Sequence, residues 1–199
     1  MTSADGGEHG GAEIPPGWDY NPSSWEERLP LLALALLGVA ISFYLTLFQV
    51  GAISQMWDPV FGSASSAAVT HSPISRLLPI PDASLGALAY LAEVVAGALG
   101  GPARWRTLPA AVLLYGLVAL GLGVVSALLL ITQGAVVHAW CLLCLCSAAI
   151  SLAILGAGAG ETLAALQHLK DAARRHQSLP RALLGLPPAH AQPQRAAYQ

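Results

Sequence analysis

Long uncharged, apolar runs alternate with short polar breaks along this chain, and the length of each run limits what it can be. From Leu29 to Trp57 there is no charge. A helix crossing lipid needs about 20 apolar residues, so a first span is expected at roughly 30–50, with Trp57 at the far interface. Residues 58–82 mix Gly, Ser and Pro with short apolar stretches. Their backbone polar groups would lack partners in lipid, so this segment is expected as an outward capping loop between the first two helices. A second span follows at about 83–100, carries Glu93 near its middle and ends at Gly100-Gly101-Pro102. Residues 107–160 are again uncharged and long enough for two crossings; a break at Thr132-Gln133-Gly134 gives spans of about 109–131 and 136–157. From Glu161 an amphipathic helix is expected, with Leu163, Leu166, Leu169 and Ala173 on one stripe, and then a loose Pro- and Ala-rich tail to 199. The fold class is therefore all-α membrane: a four-transmembrane-helix bundle over 29–160, flanked by a terminal segment on each side.

Composition agrees. Hydrophobic residues make up 55% of the chain and charged residues 10%, against roughly 25% charged in a soluble domain. Residues 1–28 hold six acids and one Arg and read as a disordered acidic tail. They show neither the basic start nor the apolar core of a signal peptide, so the first apolar run is read as a retained anchor. A net charge of −2 gives no footprint for nucleic acid. Arg104, Arg106 and the basic tail fall on one side of a four-span arrangement, and short basic segments stay cytoplasmic. Both termini are then cytoplasmic, in a multi-pass protein of the inner (plasma) membrane, and the 58–82 loop and the 132–136 turn face outward.

The three cysteines lie within six residues, Cys141-Leu-Leu-Cys144-Leu-Cys146. Residues three apart share a helix face, so Cys141 and Cys144 can approach, while Cys146 points elsewhere. Cys141 falls in the first turns of the fourth span, where the partial positive charge of a helix N-terminus favours the thiolate, the form that attacks disulfides. The outer face of a bacterial membrane is where disulfides form, and a pair near lipid can pass electrons to a lipid-soluble quinone. His138, one turn earlier, is a candidate proton donor. Two other readings stay open from spacing alone: cysteines as small hydrophobes in an apolar helix, and a metal site with His138, though zinc usually draws its ligands from more than one segment. Glu93 is an acid inside a span, where a functional role is the default; snorkelling is the alternative. Gly38 and Gly86 are expected at close helix contacts, and Trp57, Trp105 and Trp140 in interfacial belts.

From Leu31 to Ile154 the chain resembles the vitamin K epoxide reductase family of quinone-linked membrane thiol oxidoreductases. The resemblance is carried by Gly38-Val-Ala-Ile-Ser42-Phe-Tyr44-Leu, by His71-Ser72-Pro73, by Pro79-Ile80-Pro81-Asp82-Ala83-Ser84-Leu85-Gly86-Ala87-Leu88-Ala89-Tyr90, and by His138-Ala-Trp140-Cys141-Leu-Leu-Cys144-Leu, in that order. It implies a four-helix bundle around a quinone pocket, with quinone as substrate and no resident metal. Cys144 would be the cysteine nearer the quinone and Cys141 the one that exchanges with a thiol donor. Ser72 matches the serine of the capping loop, and Asp82 stands where animal members carry an Asn that hydrogen-bonds the quinone, so both are placed with His138 at the pocket. Ala148 stands where animal members have a Tyr.

The departure lies in the first loop. Typical members carry two more cysteines there, which relay electrons from a thioredoxin-like partner to the CxxC. Here Ser66 occupies the second position, Asp58 lies near the first, and no cysteine occurs between 51 and 82. A serine hydroxyl cannot exchange disulfides. Either a thioredoxin-like protein reduces Cys141 directly or supplies the relay in trans, or the chain is a non-catalytic member that binds quinone or a membrane partner through the inherited fold. A transporter or channel has little support, since Glu93 is the one ionisable group expected inside the bundle.

Overall fold

The computed structural model describes residues 14–75 and 79–187. The described residues contain helices and no strand: α1 (Trp25–Gln49), α2 (Ser63–Thr70), α3 (Asp82–Ala98), α4 (Arg104–Thr107), α5 (Pro109–Thr132), α6 (Leu142–Arg174) and α7 (Leu179–Leu183), with a single π-helical turn at Gln133–Val137. Three stretches, Trp25–Gln49, Pro109–Val137 and Leu142–Arg174, are long and apolar enough to cross a membrane. α3, at 17 residues, is about 25 Å long at 1.5 Å per residue. Residues 1–13 of the expected acidic tail (1–28), Arg76, and residues 188–199 of the expected loose tail lie outside the described residues.

α1 packs mainly on α3, α5 on α6, and α1 also on α6. Small residues make these approaches possible. A β-carbon on Gly38 would sit 2.6–2.7 Å from the Tyr90 ring, and one on Gly123 would sit 2.6 Å from the Leu155 side chain. The central core joins Ala35, Tyr90, Ala96, Tyr115, Ala119, Ile150 and Ile154. Many larger leucines point outward instead, Leu36, Leu88, Leu117 and Leu128 among them. That is the reverse of a soluble bundle, and it suits a lipid solvent.

α1 begins earlier than the span expected from 30. Ser24 caps it, its hydroxyl accepting from the Glu27 N–H, and helical Pro30 falls in the early turns. Arg28, in the first turn of α1, is 2% exposed. Its guanidinium donates to the carbonyls of Gly97, Leu99 and Gly100 at the end of α3, where the helix leaves carbonyls without intrahelical partners. At this same end Arg104 pairs with Glu161 of α6, and Ser23 donates to the same carboxylate at 2.5 Å. The segment before α1 is ordered against α6: Trp18 Nε1 donates to Gln167 Oε1 at 3.0 Å, and Gln167 returns a bond to the Pro16 carbonyl.

The boundary expected at 132–134 lies further on. The helix continues through the π turn and stops at His138, whose backbone is left-handed with φ 53°. Residues 138–141 are not helical, and α6 then runs unbroken for 33 residues, through both the expected fourth span and the expected amphipathic tail helix. Along its second half Glu161, Ala164, Ala165 and Ala172 face the protein, while Leu163 and Leu166 point outward. Small side chains allow the close contact there, and the leucines of the expected stripe are not its buried face.

Candidate thiol–quinone site

The end of the bundle opposite Arg28 and Arg104 holds the cysteines. Cys141 is the N-cap of α6, in extended conformation, and its sulfur accepts from the Cys144 N–H at 3.3 Å. Capping is usually done by Ser, Thr, Asp or Asn; here sulfur takes the role, so Cys141 Sγ sits on the positive end of the helix dipole. The Cys144 thiol and the Ser66 hydroxyl also lie in hydrogen-bonding reach of that sulfur. All three cysteines are free thiols. Cys141 is fully buried, packed with Leu45, Phe48, Met56 and Val69.

Segment 50–75 covers this helix start through hydrogen bonds. Asp58 Oδ2 accepts from the Leu142 N–H at 2.9 Å and from the Ser66 hydroxyl at 2.6 Å. Its Oδ1 accepts from the N–H groups of Val60 and Phe61. Burial pushes the Asp58 carboxyl up, but the bonds from Leu142, Ser66, Phe61 and Val60 outweigh it and hold the group down at about 2. Ser65 Oγ bonds both the carbonyl and the N–H of Trp140. Gln133, in the π turn, is 3% exposed and accepts from the Cys141 N–H at 3.1 Å. Ser66, at the second loop position where the resemblance looks for a cysteine, is thus hydrogen-bonded to Asp58, which lies near the first. Asp58 Oδ2 caps the helix that starts after Cys141.

Cys144 borders a cavity of about 520 Å³ between α1, α3, α5 and α6, bounded at its outer end by Val69, Thr70, Ser72, Ile74 and Ser75. Ligand pockets commonly run about 300–1,000 Å³ and are mostly apolar with a few placed polar groups. The polar groups here lie at two levels. Near the outer end Gln49 Nε2 donates to Asp82 Oδ1 and to the Thr70 carbonyl. Ser72, 6% exposed, bonds the Ser75 N–H through its hydroxyl. Deeper, the Tyr90 hydroxyl meets Ser151 Oγ at 2.6 Å and the Ser147 carbonyl at 2.7 Å.

Of the residues expected at the site, Cys144, Ser72 and Asp82 border this cavity, and Cys141 lies beside it behind Cys144. His138 does not join them: it is exposed and does not border the cavity. Its left-handed backbone ends the π turn, and the space beside Cys141 goes to Gln133 and Ser66. Sequence reasoning overlooked Gln133, Gln49 and the Asp58–Ser66 pair as working groups. Asp58, an acid in an otherwise apolar and hydroxyl-rich loop, was the available signal; nothing about Gln133 marks it out in the sequence.

Comparison with curated proteins gives no match. The family model described as the vitamin K epoxide reductase family matches residues 29–157, from the start of the first long apolar run to beyond the CxxC. Members of that family are membrane oxidoreductases linking thiols to quinones, and the long apolar helices found here suit the same setting. With well over half its length matched, this chain belongs to the vitamin K epoxide reductase family.

Proposed function

We propose that the protein is a membrane thiol–quinone oxidoreductase in which Cys141 and Cys144 are the dithiol. The sulfur–sulfur bond forms as the quinone takes two electrons and two protons, giving disulfide and quinol. One observation carries this reading: Cys144 borders a large apolar cavity, while its sulfur partner Cys141 sits on a helix N-terminus within hydrogen-bonding reach. In this reading Cys144 meets the quinone, the Ser72 hydroxyl donates to a ring oxygen, Asp82, held by Gln49, accepts from the quinol O–H, and Cys141 exchanges with the thiol donor. α1, α3, α5 and the first part of α6 are the four spans, and residues 50–75 form the outward cap. Both ends of the chain lie on the cytoplasmic side of the inner membrane. The donor is a thioredoxin-like protein that reduces Cys141 directly or brings its own relay pair.

A second reading, a family member that binds quinone without turnover, draws on two observations: no cysteine lies between 51 and 82, and Cys141 is fully buried under that segment. Thiol trapping of the purified, reduced protein separates the two. With a short-tailed benzoquinone added, the first reading expects a Cys141–Cys144 disulfide and stoichiometric quinol, both lost in Cys141→Ala. Thiols that stay reduced under excess quinone would leave the binding reading alone standing.

A further inference from the structure

One buried acid has no part in this scheme. Glu93 of α3 is 1% exposed, and among the described residues neither of its carboxylate oxygens has a hydrogen-bond partner. Buried polar groups are nearly always satisfied, so an orphan calls for a reason. The two guanidiniums nearby are committed elsewhere: Arg104 pairs with Glu161, and Arg28 is held by the carbonyls that end α3. Glu93 is left facing a cavity of about 20 Å³. That is room for one water, for which about 10–15 Å³ suffices. Every element around this cavity contributes a charged or titratable group: Glu27 and Arg28 from α1, Arg104 from α4, Tyr115 from α5, Glu161 from α6, and Tyr20 from the segment before α1.

One helical turn away on the same α3 face is Tyr90, also 1% exposed. Its hydroxyl belongs to the chain through Ser151 and Ser147 that borders the large cavity beside Cys144. Glu93 therefore lines a water-sized space at the Arg28–Arg104 end, one helical turn along α3 from Tyr90, whose hydroxyl joins the serines at the large cavity. In membrane proteins, buried acids in that position serve as proton relays.

We propose that Glu93 loads a proton from the Arg28–Arg104 end and delivers it, through the Tyr90–Ser151 hydroxyls, to the quinone. This rests on the thiol–quinone reading and completes its proton count. With Cys141 as thiolate and Cys144 as thiol, forming the S–S bond sends two electrons and the Cys144 proton to the quinone. The quinol needs one proton more, which Glu93 gives up and then regains from the inner aqueous phase. Glu93 is a relay residue and touches neither sulfur nor quinone.

The test uses the full chain in phospholipid vesicles, reduced beforehand and mixed with a short-tailed benzoquinone. Quinol formation in one turnover is followed across pH, and quinone affinity is measured alongside. Glu93→Gln, which keeps shape but carries no exchangeable acid, is expected to slow quinol formation on the order of 10²-fold. It should leave quinone affinity unchanged and flatten the pH profile; Glu93→Asp should recover most of the rate and the pH dependence. Wild-type rate and pH profile in Glu93→Gln overturns the proposal. So does a loss shared by both variants together with weaker quinone binding, which would mark a purely structural residue. A wild type that produces no quinol refutes the underlying oxidoreductase reading instead, and the relay with it.

Discussion

Asp58 gathers four donors onto one carboxylate, and two of them belong to the machinery around Cys141: the Leu142 N–H and the Ser66 hydroxyl. Where the resemblance looks for a sulfur pair, this chain has a polar clasp. A clasp can open without a reductant, and Cys141, fully buried, must be uncovered before any water-phase thiol reaches it. Such local opening has its own free energy. Asp58→Ala strands the Leu142 N–H and the Ser66 hydroxyl, at a cost of about 1–3 kcal/mol. The variant is expected to melt at a lower temperature and to lose Cys141 to maleimide on the order of ten- to a hundredfold faster; an unchanged alkylation rate would refute the clasp. The pH dependence has a definite sign. The folded Asp58 carboxyl sits at about 2, below its ordinary 3.8, so its stabilisation is complete above about pH 4 and fades as pH falls toward 2. Between pH 5 and 8 the clasp is expected not to loosen on this account. The CxxC, Ser72 and Asp82 could be read from the sequence because sulfur spacing and family motifs mark them. The clasp could not, because Asp and Ser in a loop look the same whether they bond one another or water.

At the scale of helices, the large cavity beside Cys144 depends on how closely α1 approaches α3. Gly38 has no side chain, and the Tyr90 ring fills the space where one would be, with its hydroxyl fixed on α6 by Ser147 and Ser151. In Gly38→Ala the new methyl must displace a ring tethered at its far end. Overpacking of this kind typically costs about 1–3 kcal/mol. The variant is expected to melt earlier and to bind quinone more weakly, both measurable in detergent. If quinone affinity and melting temperature match the wild type, Tyr90 is not positioned by this contact. The apolar run lengths set α1, α3 and α5 to within a few residues, because long uncharged stretches and Gly-Pro breaks are strong local signals. The start of α6 eluded that logic. Residues 133–141 are as uncharged as the helices on either side, so nothing in their hydropathy announces a π turn and a left-handed His138. Hydropathy divides the continuous α6 for a related reason: charge at Glu161 predicts the end of a span, whereas Glu161 is buried against Arg104 and the helix runs on.

Across the whole molecule, chemistry separates to the two ends of the bundle. One end holds the sulfurs, the Asp58 clasp and the Gln49–Asp82 contact; the other holds Arg28, Arg104 and Glu161, on the side where α6 carries Lys170 and Arg174. Burying Arg28 and Arg104 changes the charge argument for sidedness, because both are tied to carbonyls or to Glu161. Arg106, Lys170, Arg174, Arg175 and Arg181 still favour a cytoplasmic location for that end. A redox reading requires the opposite end to face the compartment where disulfides persist, so function and charge bias make the same demand independently. Single cysteines placed in a chain whose own three are changed to Ala test it: Phe61→Cys beside the clasp, and Ser178→Cys beyond α6, both at exposed positions. In intact spheroplasts a membrane-impermeant maleimide is expected to label the first and not the second, and to label both once the membrane is opened. The reverse pattern would place Cys141 against the reducing cytosol, where disulfides do not persist and cytosolic reductants keep a thiol pair reduced. The large cavity could then remain a binding site, but the thiol donor would have to be a cytosolic one, and the fold would be inserted opposite to what its basic residues favour.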